Sequence, residues 1–226
     1  MRRRLQFILL ALALCERLPA QSADKHPISG RPYAGVMGVG GAPWLERAER
    51  ENEERPRLAV RLLRLKAGMS VADIGAGSGC YTELLARAVG PTGKVFAVDI
   101  QQGMIRLIED RMHREKLENV TPVLGLASDP KLPERSLDLA LLVDVYHEFA
   151  DPQAMLRRIR KALRPDGRMV LLEFRKEDPS IPIRLEHKMS VEEAKREIEP
   201  EGYRLDSVLE DLPWQHILIF RRLPER

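Results

Sequence analysis

The residues with the clearest chemical potential form a glycine-rich stretch, Asp73-Ile74-Gly75-Ala76-Gly77-Ser78-Gly79. The stretch follows an apolar run at residues 71–74, which predicts a buried strand, and it precedes apolar residues at helical spacing. Glycines in such a turn let the backbone bend sharply and let a ligand touch the main chain. Because the turn lies at the carboxyl edge of a parallel strand, it predicts a ligand site, with a simple tight turn as the alternative.

Two carboxylates accompany this loop. Asp99 ends a second predicted strand, residues 94–99, where an acid can accept hydrogen bonds from both hydroxyls of a ribose. A solvated acid at a strand end is the alternative interpretation. Asp73 lies inside the first strand, two residues before Gly75, and a carboxylate in an apolar strand is costly unless something satisfies it.

The spacing of the glycines separates two classes of cofactor. A dinucleotide fingerprint requires Gly-x-Gly-x-x-Gly, and here the third glycine would fall on Cys80. Pyrophosphate also favours a helix N-terminus without an acid beside it, because like charges repel. Asp73 suits a cationic ligand better. S-adenosylmethionine, which carries a sulfonium and an ammonium group, therefore fits better than a nicotinamide dinucleotide.

Composition and charge narrow the class of partner. The 226 residues are 44% hydrophobic and 31% charged, which favours one globular domain over disorder. The net charge of +3 equals that of residues 1–20, so the remaining 33 basic and 33 acidic residues balance. The absence of net charge on residues 21–226 argues against nucleic acid as a partner, because binding nucleic acid normally requires a basic face. Two cysteines cannot build a disulfide framework, and five scattered histidines at no ligand spacing argue against a metal site.

The first twenty residues predict a signal peptide. Arg2–Arg4 are positively charged, Leu5–Leu14 are apolar, and Leu18-Pro19-Ala20 offers a cleavage site. The apolar run of about ten residues is too short to cross a bilayer of ~30 Å as a helix, so no transmembrane helix is expected. The pattern predicts export to the periplasm or the medium, with a cytoplasmic protein as the alternative.

Strand and helix patterns alternate through the rest of the chain. Apolar runs predict strands at residues 71–74, 94–99, 120–126, 137–145, 169–174, 203–209 and 215–220. Residues 164–167 predict a turn before the fifth strand, and Ser190 with Glu193 predicts a capping box that opens a helix. The near-continuous apolar character of the fourth strand indicates that both of its faces are covered. The alternation predicts an α/β fold, a doubly wound and mostly parallel sheet with helices on both faces.

Four segments resemble motifs of the class I S-adenosylmethionine-dependent methyltransferases, in the broad type 11 group that includes ubiquinone/menaquinone-type enzymes. They are residues 71–79, 96–100, 132–141 and 163–170. The resemblance implies a Rossmann-like, seven-stranded sheet whose last strand is antiparallel, with S-adenosylmethionine as cofactor. It implies methionine contacts at Gly75–Gly79 and ribose contacts at Asp99, with Ile100 beside it.

The same resemblance implies an adenine contact after the third strand. In this group an acid there commonly binds the adenine amino group. This chain has Gly-Leu-Ala-Ser-Asp at residues 125–129, so Ser128 and Asp129 are both candidates.

The end of the fourth strand, residues 144–149, resembles the Asn-x-x-His-His segment of the small-molecule branch, with Asp144 in place of the asparagine. It does not match the Asn/Asp-Pro-Pro-aromatic motif of enzymes that methylate amino groups of DNA, RNA and protein. In this family the segment lies between cofactor and acceptor. The resemblance therefore implies a small-molecule methyl acceptor, and Asp144 and Tyr146 as cofactor contacts, although Tyr146 could equally fill the core.

His147 is the first candidate for a catalytic residue. Methyl transfer is an in-line displacement at an electrophilic carbon, so positioning supplies much of the catalysis. An acceptor hydroxyl, phenol or acidic carbon also needs a base, and a histidine with an ordinary pKa near 6.5 suits that task. Glu148 and Glu173 are weaker candidates, and a structural role is the alternative for His147.

Two flanking segments predict walls of the site. Tyr33 and Trp44 precede the core and could form a lid, although Trp44 could simply anchor a helix. His187 and Lys188 follow the fifth strand, where this family places acceptor-binding elements, but a polar loop explains them equally well. The alternating charges of residues 46–55 predict a solvated helix face.

We therefore predict three regions: a signal peptide at residues 1–20, an N-terminal arm with a lid helix at 21–55, and a class I methyltransferase domain at 56–226. The predicted function is methyl transfer from S-adenosylmethionine to a small molecule. The alternatives are a nicotinamide-dependent oxidoreductase, an exported non-catalytic nucleoside-binding module and an isoaspartyl-type protein methyltransferase.

Overall fold

The computed structural model describes residues 25–224. The predicted signal peptide lies outside these residues and stays a prediction. Helices α1 to α7 span Ala42–Leu45, Arg50–Glu53, Pro56–Leu62, Cys80–Val89, Gln102–Glu115, Pro152–Ala162 and Val191–Ile198. Strands β1 to β8 span Ser70–Ile74, Lys94–Asp99, Val120–Leu124, Leu137–Val143, Leu163–Arg175, Lys188–Met189, Tyr203–Leu209 and Gln215–Arg222. Within the described part of the chain, every helix falls short of the length and apolarity that a bilayer span requires.

The strands form one sheet in the order β3-β2-β1-β4-β5-β8-β7, and the two-residue β6 pairs with β5. Strands β1 to β5 are parallel, β8 runs antiparallel to β5, and β7 runs antiparallel to β8. This confirms the predicted Rossmann-like, mostly parallel sheet with an antiparallel last strand. The chain moves outward from β1 to β3 and then returns to β4 on the other side of β1. A crevice therefore opens at the carboxyl ends of β1 and β4, the switch point of the sheet.

Apolar clusters cover both faces of the sheet. Along β4, Ala140 and Leu142 pack into one cluster with α6 and α7, whereas Leu139 and Leu141 pack into the other with α3, α4 and α5. The helices and the alternating side chains of one strand thus bury both faces. This accounts for the continuous apolar run that the sequence shows at this strand.

Local sequence determines where the helices around the site begin. Gly79 adopts the left-handed backbone conformation, which turns the chain into α4. The Asp151 side chain accepts a hydrogen bond from the Ala154 amide at the start of α6. The predicted capping box of Ser190 and Glu193 opens α7.

Three predicted boundaries are wrong. β3 ends at Leu124 because the chain turns at once, with paired backbone hydrogen bonds between Leu126 and Asp129. β4 ends at Val143 because Asp144 has a positive φ of 48°. The predicted turn at 164–167 lies inside β5 as a bulge, since Leu137 pairs with Leu163 but Leu139 pairs with Arg168.

The N-terminal arm is anchored on α7 by the buried Glu197. Its carboxylate accepts hydrogen bonds from Ser29 Oγ at 2.5 Å and from the guanidinium of Arg31 at 3.1 Å. Arg31 Nη1 also donates to the carbonyl of His147 at 3.2 Å. One arginine therefore connects the arm, α7 and the segment that follows β4.

Replacing Glu197 by alanine should destabilise the protein by about 3–5 kcal/mol, because it leaves the buried Arg31 guanidinium without its ionic partner. The matched control is Glu201→Ala, which removes an ion pair with the exposed Arg157 and should cost less than about 1 kcal/mol. Urea unfolding followed by circular dichroism measures both. Equal losses in the two variants would contradict the anchoring role of Glu197.

Candidate functional site

A cavity of about 630 Å³ opens at the switch point of the sheet. Its volume lies within the usual range for small-molecule sites. Eight of the predicted site residues line it: Trp44, Gly75, Gly77, Asp99, Ile100, Asp144, His147 and His187. The fold thus gathers residues from the arm, the glycine loop, the ends of β2 and β4, and the segment after β5 around one space.

The glycine loop has a backbone that only glycine adopts easily. Gly75, Gly77 and Gly79 have positive φ angles of 72°, 55° and 83°. A Cβ atom on Gly75 would lie 2.4 Å from the side chain of Val145. The amides of Gly75 and Ala76 both donate to the carbonyl of Val98 at 2.9 Å. The loop is therefore held against the end of β2, with its main chain facing the cavity.

Asp99 connects the loop to the cavity wall. Its Oδ2 atom accepts the Gly77 amide at 3.0 Å and its Oδ1 atom accepts the Gln101 amide at 2.9 Å. Each carboxylate oxygen has two lone pairs, so two backbone donors leave capacity for two hydroxyls. Burial raises the pKa of Asp99, and the two backbone hydrogen bonds act in the opposite direction. The geometry suits recognition of a vicinal diol.

Residues that follow β2 and β3 form an apolar side of the cavity. Ile100 and Leu126 line it with side chains that are 44% and 53% exposed, and Ala127 lies beside them. Ser128 and Asp129 are not among the lining residues. Asp129 Oδ1 instead accepts the Lys131 amide at 2.8 Å, while its Oδ2 lies 3.4 Å from Lys131 Nζ. Neither of the two predicted adenine contacts therefore lines the cavity.

Asp73 is buried behind the glycine loop. Its Oδ2 atom accepts a hydrogen bond from Thr82 Oγ1 at 2.6 Å. Burial raises the pKa of Asp73 to about 6, although the Thr82 hydrogen bond lowers it. The carboxylate that predicted a cationic ligand is satisfied within the protein and does not line the cavity. Ala76, Ser78 and Gly79 shape the loop without lining the cavity either.

Two predicted contacts lie one layer behind the cavity. Tyr146 is fully buried in the core, with its hydroxyl 3.5 Å from His26 Nε2. Tyr33 belongs to the arm, and its ring packs edge-on against His26 at 6.2 Å. Both tyrosines thus contact His26 and do not line the cavity.

Arg50 and Glu54 are functional candidates that sequence reasoning missed. Arg50 is 8% exposed and Glu54 is 1% exposed, so the predicted solvated face of residues 46–55 is wrong at these positions. Arg50 Nε donates to Glu54 Oε2 at 2.6 Å, and both residues line the cavity. Their spacing of four residues is typical of any helical ion pair. No sequence pattern distinguished this pair from its exposed neighbours.

Asp144 faces the same end of the cavity. Its Oδ2 atom accepts a hydrogen bond from Gln215 Nε2 at 2.7 Å, whereas its buried Oδ1 atom has no partner among residues 25–224. Burial and the nearby Glu54 carboxylate raise the pKa of Asp144 well above its usual value. An unpartnered buried acceptor beside an acid is a suitable site for a cationic ligand group.

The predicted lid lies over the glycine loop. Trp44 is 45% exposed, and the Arg47 guanidinium stacks on its ring at 3.7 Å. Leu45 lies against Gly77, where an added Cβ atom would come within 2.7 Å of the leucine side chain. Helix α1 thus covers the loop, and α2 carries the charged pair of Arg50 and Glu54 beside it.

The far end of the cavity holds a cluster that we call the His-Glu-His cluster: His147, Glu148 and His187. His147 Nδ1 lies 2.6 Å from the buried Glu173 Oε2, and His147 Nε2 lies 3.2 Å from His187 Nδ1. Burial raises the pKa of Glu148 to about 7 and lowers that of His187. Sequence spacing did not predict this cluster, because forty residues separate the two histidines.

A family model described as a methyltransferase domain matches residues 65–215, more than half of the chain. The chain therefore belongs to the methyltransferase domain family. It is 33% identical over 128 residues to a ubiquinone/menaquinone biosynthesis C-methyltransferase of Hahella chejuensis, a match that covers 56% of this chain and 51% of that protein. The chain thus spans about half the length of this relative.

Solved structures share the fold. An S-adenosylmethionine-dependent methyltransferase from Aquifex aeolicus superimposes with a TM-score of 0.77 at 24% identity, covering 82% of this chain and 98% of that one. The [4+2]-cyclase SpnF superimposes with a TM-score of 0.65 at 15% identity, covering 90% of this chain and 88% of that one. Because proteins named for different reactions share this architecture, the fold alone does not define the activity.

Replacing Asp73 by asparagine should stabilise the protein at pH 8 by about 3 kcal/mol, because the Asp73 pKa of about 6 lies roughly two units above its usual value and each unit corresponds to about 1.4 kcal/mol. The folded protein releases the Asp73 proton near pH 6, above the usual value of 3.8. The free energy of unfolding therefore falls as pH rises between these values. The gain should vanish near pH 4.

Urea unfolding at both pH values measures this effect. Asp138→Asn is the control, because Asp138 accepts hydrogen bonds from the Ser70 amide and the Arg164 guanidinium and should show no gain. A gain of the same size at both pH values would contradict the argument about Asp73.

Proposed function

We propose that this protein transfers a methyl group from S-adenosylmethionine to a small-molecule acceptor. The observation that carries the proposal is the buried Asp99 carboxylate. It is fixed by the Gly77 and Gln101 amides and presents its remaining lone pairs to a cavity at the switch point of the sheet. Family membership and the C-methyltransferase relatives support the same function.

The charges on the cavity wall fit a cationic cofactor. Four acids line the cavity, Glu54, Asp99, Asp144 and Glu148, against two arginines, Arg50 and Arg184. The unpartnered Oδ1 of Asp144 would hold the ammonium group, and Arg50 would hold the carboxylate of the methionine part. A nicotinamide dinucleotide brings a pyrophosphate, which this acidic wall repels. The oxidoreductase alternative is therefore disfavoured.

The acceptor end combines apolar walls with the His-Glu-His cluster. Phe149, Phe174 and Ile183 supply apolar lining surface there. Such a surface fits a small, partly apolar acceptor with an ionisable hydroxyl, thiol or acidic carbon. An acceptor of the ubiquinone or menaquinone class, after which the curated relatives are named, belongs to this description and is part of the proposal.

The protein's own groups perform three tasks in this reaction. The bound cofactor supplies a methyl group on an electrophilic sulfonium. Asp99 and the glycine loop fix the nucleoside, and Trp44 with the lid helices excludes water. Glu173 orients His147 by accepting a hydrogen bond from its Nδ1–H group, which leaves the Nε2 lone pair facing His187 and the cavity. That lone pair can accept the acceptor's proton, the role predicted for His147.

Isothermal titration calorimetry with S-adenosylhomocysteine tests the proposal. The native chain should bind it, and Asp99→Ala should weaken binding at least ~30-fold, because two hydrogen bonds to a charged group are lost. Asp110→Ala, which changes an exposed acid on α5, is the control and should leave the affinity unchanged. Binding of reduced nicotinamide dinucleotide instead of S-adenosylhomocysteine would overturn the proposal. So would equal affinities in Asp99→Ala and the native chain.

A further inference from the structure

We propose that the His-Glu-His cluster binds a divalent transition metal ion of the zinc class at the acceptor end of the cavity. The ligand atoms of His147, Glu148 and His187 all lie within 4.8 Å of one another. Two imidazole nitrogens and one carboxylate oxygen form a set that such ions accept, with a further position left open for a small molecule.

The distance between the two histidines fits a shared ion. His147 Nε2 and His187 Nδ1 are 3.2 Å apart. Two nitrogens that each lie ~2.05 Å from a tetrahedral ion are about 3.3 Å apart. The imidazole rings are nearly perpendicular, at 88°, with centroids 5.1 Å apart, so they do not stack on each other. An ion bound by both nitrogens would replace the hydrogen bond that now joins them.

Glu173 supplies the outer support that histidine ligands usually have. It is fully buried, and its Oε2 atom lies 2.6 Å from His147 Nδ1, while its Oε1 atom accepts the Tyr146 amide at 3.2 Å. A carboxylate on one ring nitrogen fixes the proton there and leaves the other nitrogen as a lone-pair donor. The Nε2 atom of His147 is thereby prepared to bind a cation.

The segments that carry the ligands are held in place. His147 and Glu148 lie in a 3₁₀ turn, and the carbonyl of His147 accepts the Ala34 amide and the Arg31 guanidinium. His187 ends a second 3₁₀ turn, next to the buried Lys188. Lys188 Nζ donates to the Asp178 and Ile181 carbonyls at 3.0 and 2.8 Å. A ligand set on such fixed supports loses little conformational entropy on binding.

The electrostatic field at the cluster includes charges of both signs. Glu148 and Glu173 are the nearest acids, and Glu186 adds a further attraction for positive charge at His187. Arg184 lines the same end and opposes a cation. These three acids outnumber Arg184, whereas Glu197 neutralises Arg31 behind the cluster and two backbone carbonyls hold the ammonium of Lys188.

A metal at this position specifies the acceptor, a consequence that rests on the proposed function. The acceptor would bind the ion through a hydroxyl or thiol, whose pKa the ion lowers, so that the proton passes to water. The oxygen or sulfur, or an acidic carbon conjugated with that oxygen, would then form the bond to the methyl carbon, and the electron pair of the breaking carbon–sulfur bond would stay on the cofactor sulfur. His147 Nε2 is then a metal ligand, and proton removal no longer depends on it.

The test titrates zinc ion alone into the untagged, full-length protein after chelator treatment, with calorimetry as the readout. The native chain should bind one equivalent, and His187→Ala should bind it at least ~100-fold more weakly, because even outer-shell changes cost 10–100-fold. Glu148→Gln should also weaken binding. His113→Ala, which changes an exposed histidine on α5, is the matched control and should bind zinc as the native chain does.

Titration of the same variants with S-adenosylhomocysteine separates the two proposals. Native-like affinity for S-adenosylhomocysteine in His187→Ala, together with loss of zinc binding, supports the metal site. Absence of zinc binding in the native chain, or equal zinc affinity in His187→Ala and His113→Ala, overturns the metal site and leaves the proposed function in place. Zinc binding without S-adenosylhomocysteine binding overturns the proposed function and leaves the metal site in place.

Discussion

The hydrogen bond between the Gly77 amide and the Asp99 carboxylate is the interaction on which the site depends. It joins the loop after β1 to the end of β2 and fixes both the backbone that faces the ligand and the acid that would recognise a diol. The positive φ angles of the glycines make this approach possible, because an added Cβ at Gly75 would collide with Val145. The crevice at the switch point of the sheet thereby presents hydrogen-bonding groups in fixed positions.

Burial of acids is the second constraint. Asp99, Asp144 and Glu148 all line the cavity, and burial raises the pKa of each. A buried carboxylate without a cation is energetically unfavourable. The free protein therefore contains a buried acceptor, the Oδ1 atom of Asp144, that has no hydrogen-bond partner among the described residues. A positively charged ligand stabilises the ionised form of these carboxylates. This stabilisation contributes to the affinity for the ligand and to the selectivity for its charge.

Local patterns predicted the fold and the position of the glycine loop and Asp99 at the switch point of the sheet. The alternation of apolar runs indicated the parallel sheet, and the glycine loop with Asp99 lies where its spacing predicted. Long-range geometry determined the rest. Asp73 bonds Thr82 within the protein, Arg50 and Glu54 turn inward on a short helix, and His147 meets His187 only after folding. Sequence spacing carries no information on such contacts, because side-chain direction and loop path decide them.

The contact between Arg31 and Glu197 links residues 166 positions apart, and the same arginine holds the carbonyl of His147. Closing so long a loop costs entropy that must be met before the contact contributes any stability. During synthesis the arm emerges before α7 and has to wait for that helix before Arg31 can dock on Glu197. Strands β1 to β5 are made earlier and can pair first, whereas the arm is fastened beside the segment after β4 only once α7 has been made.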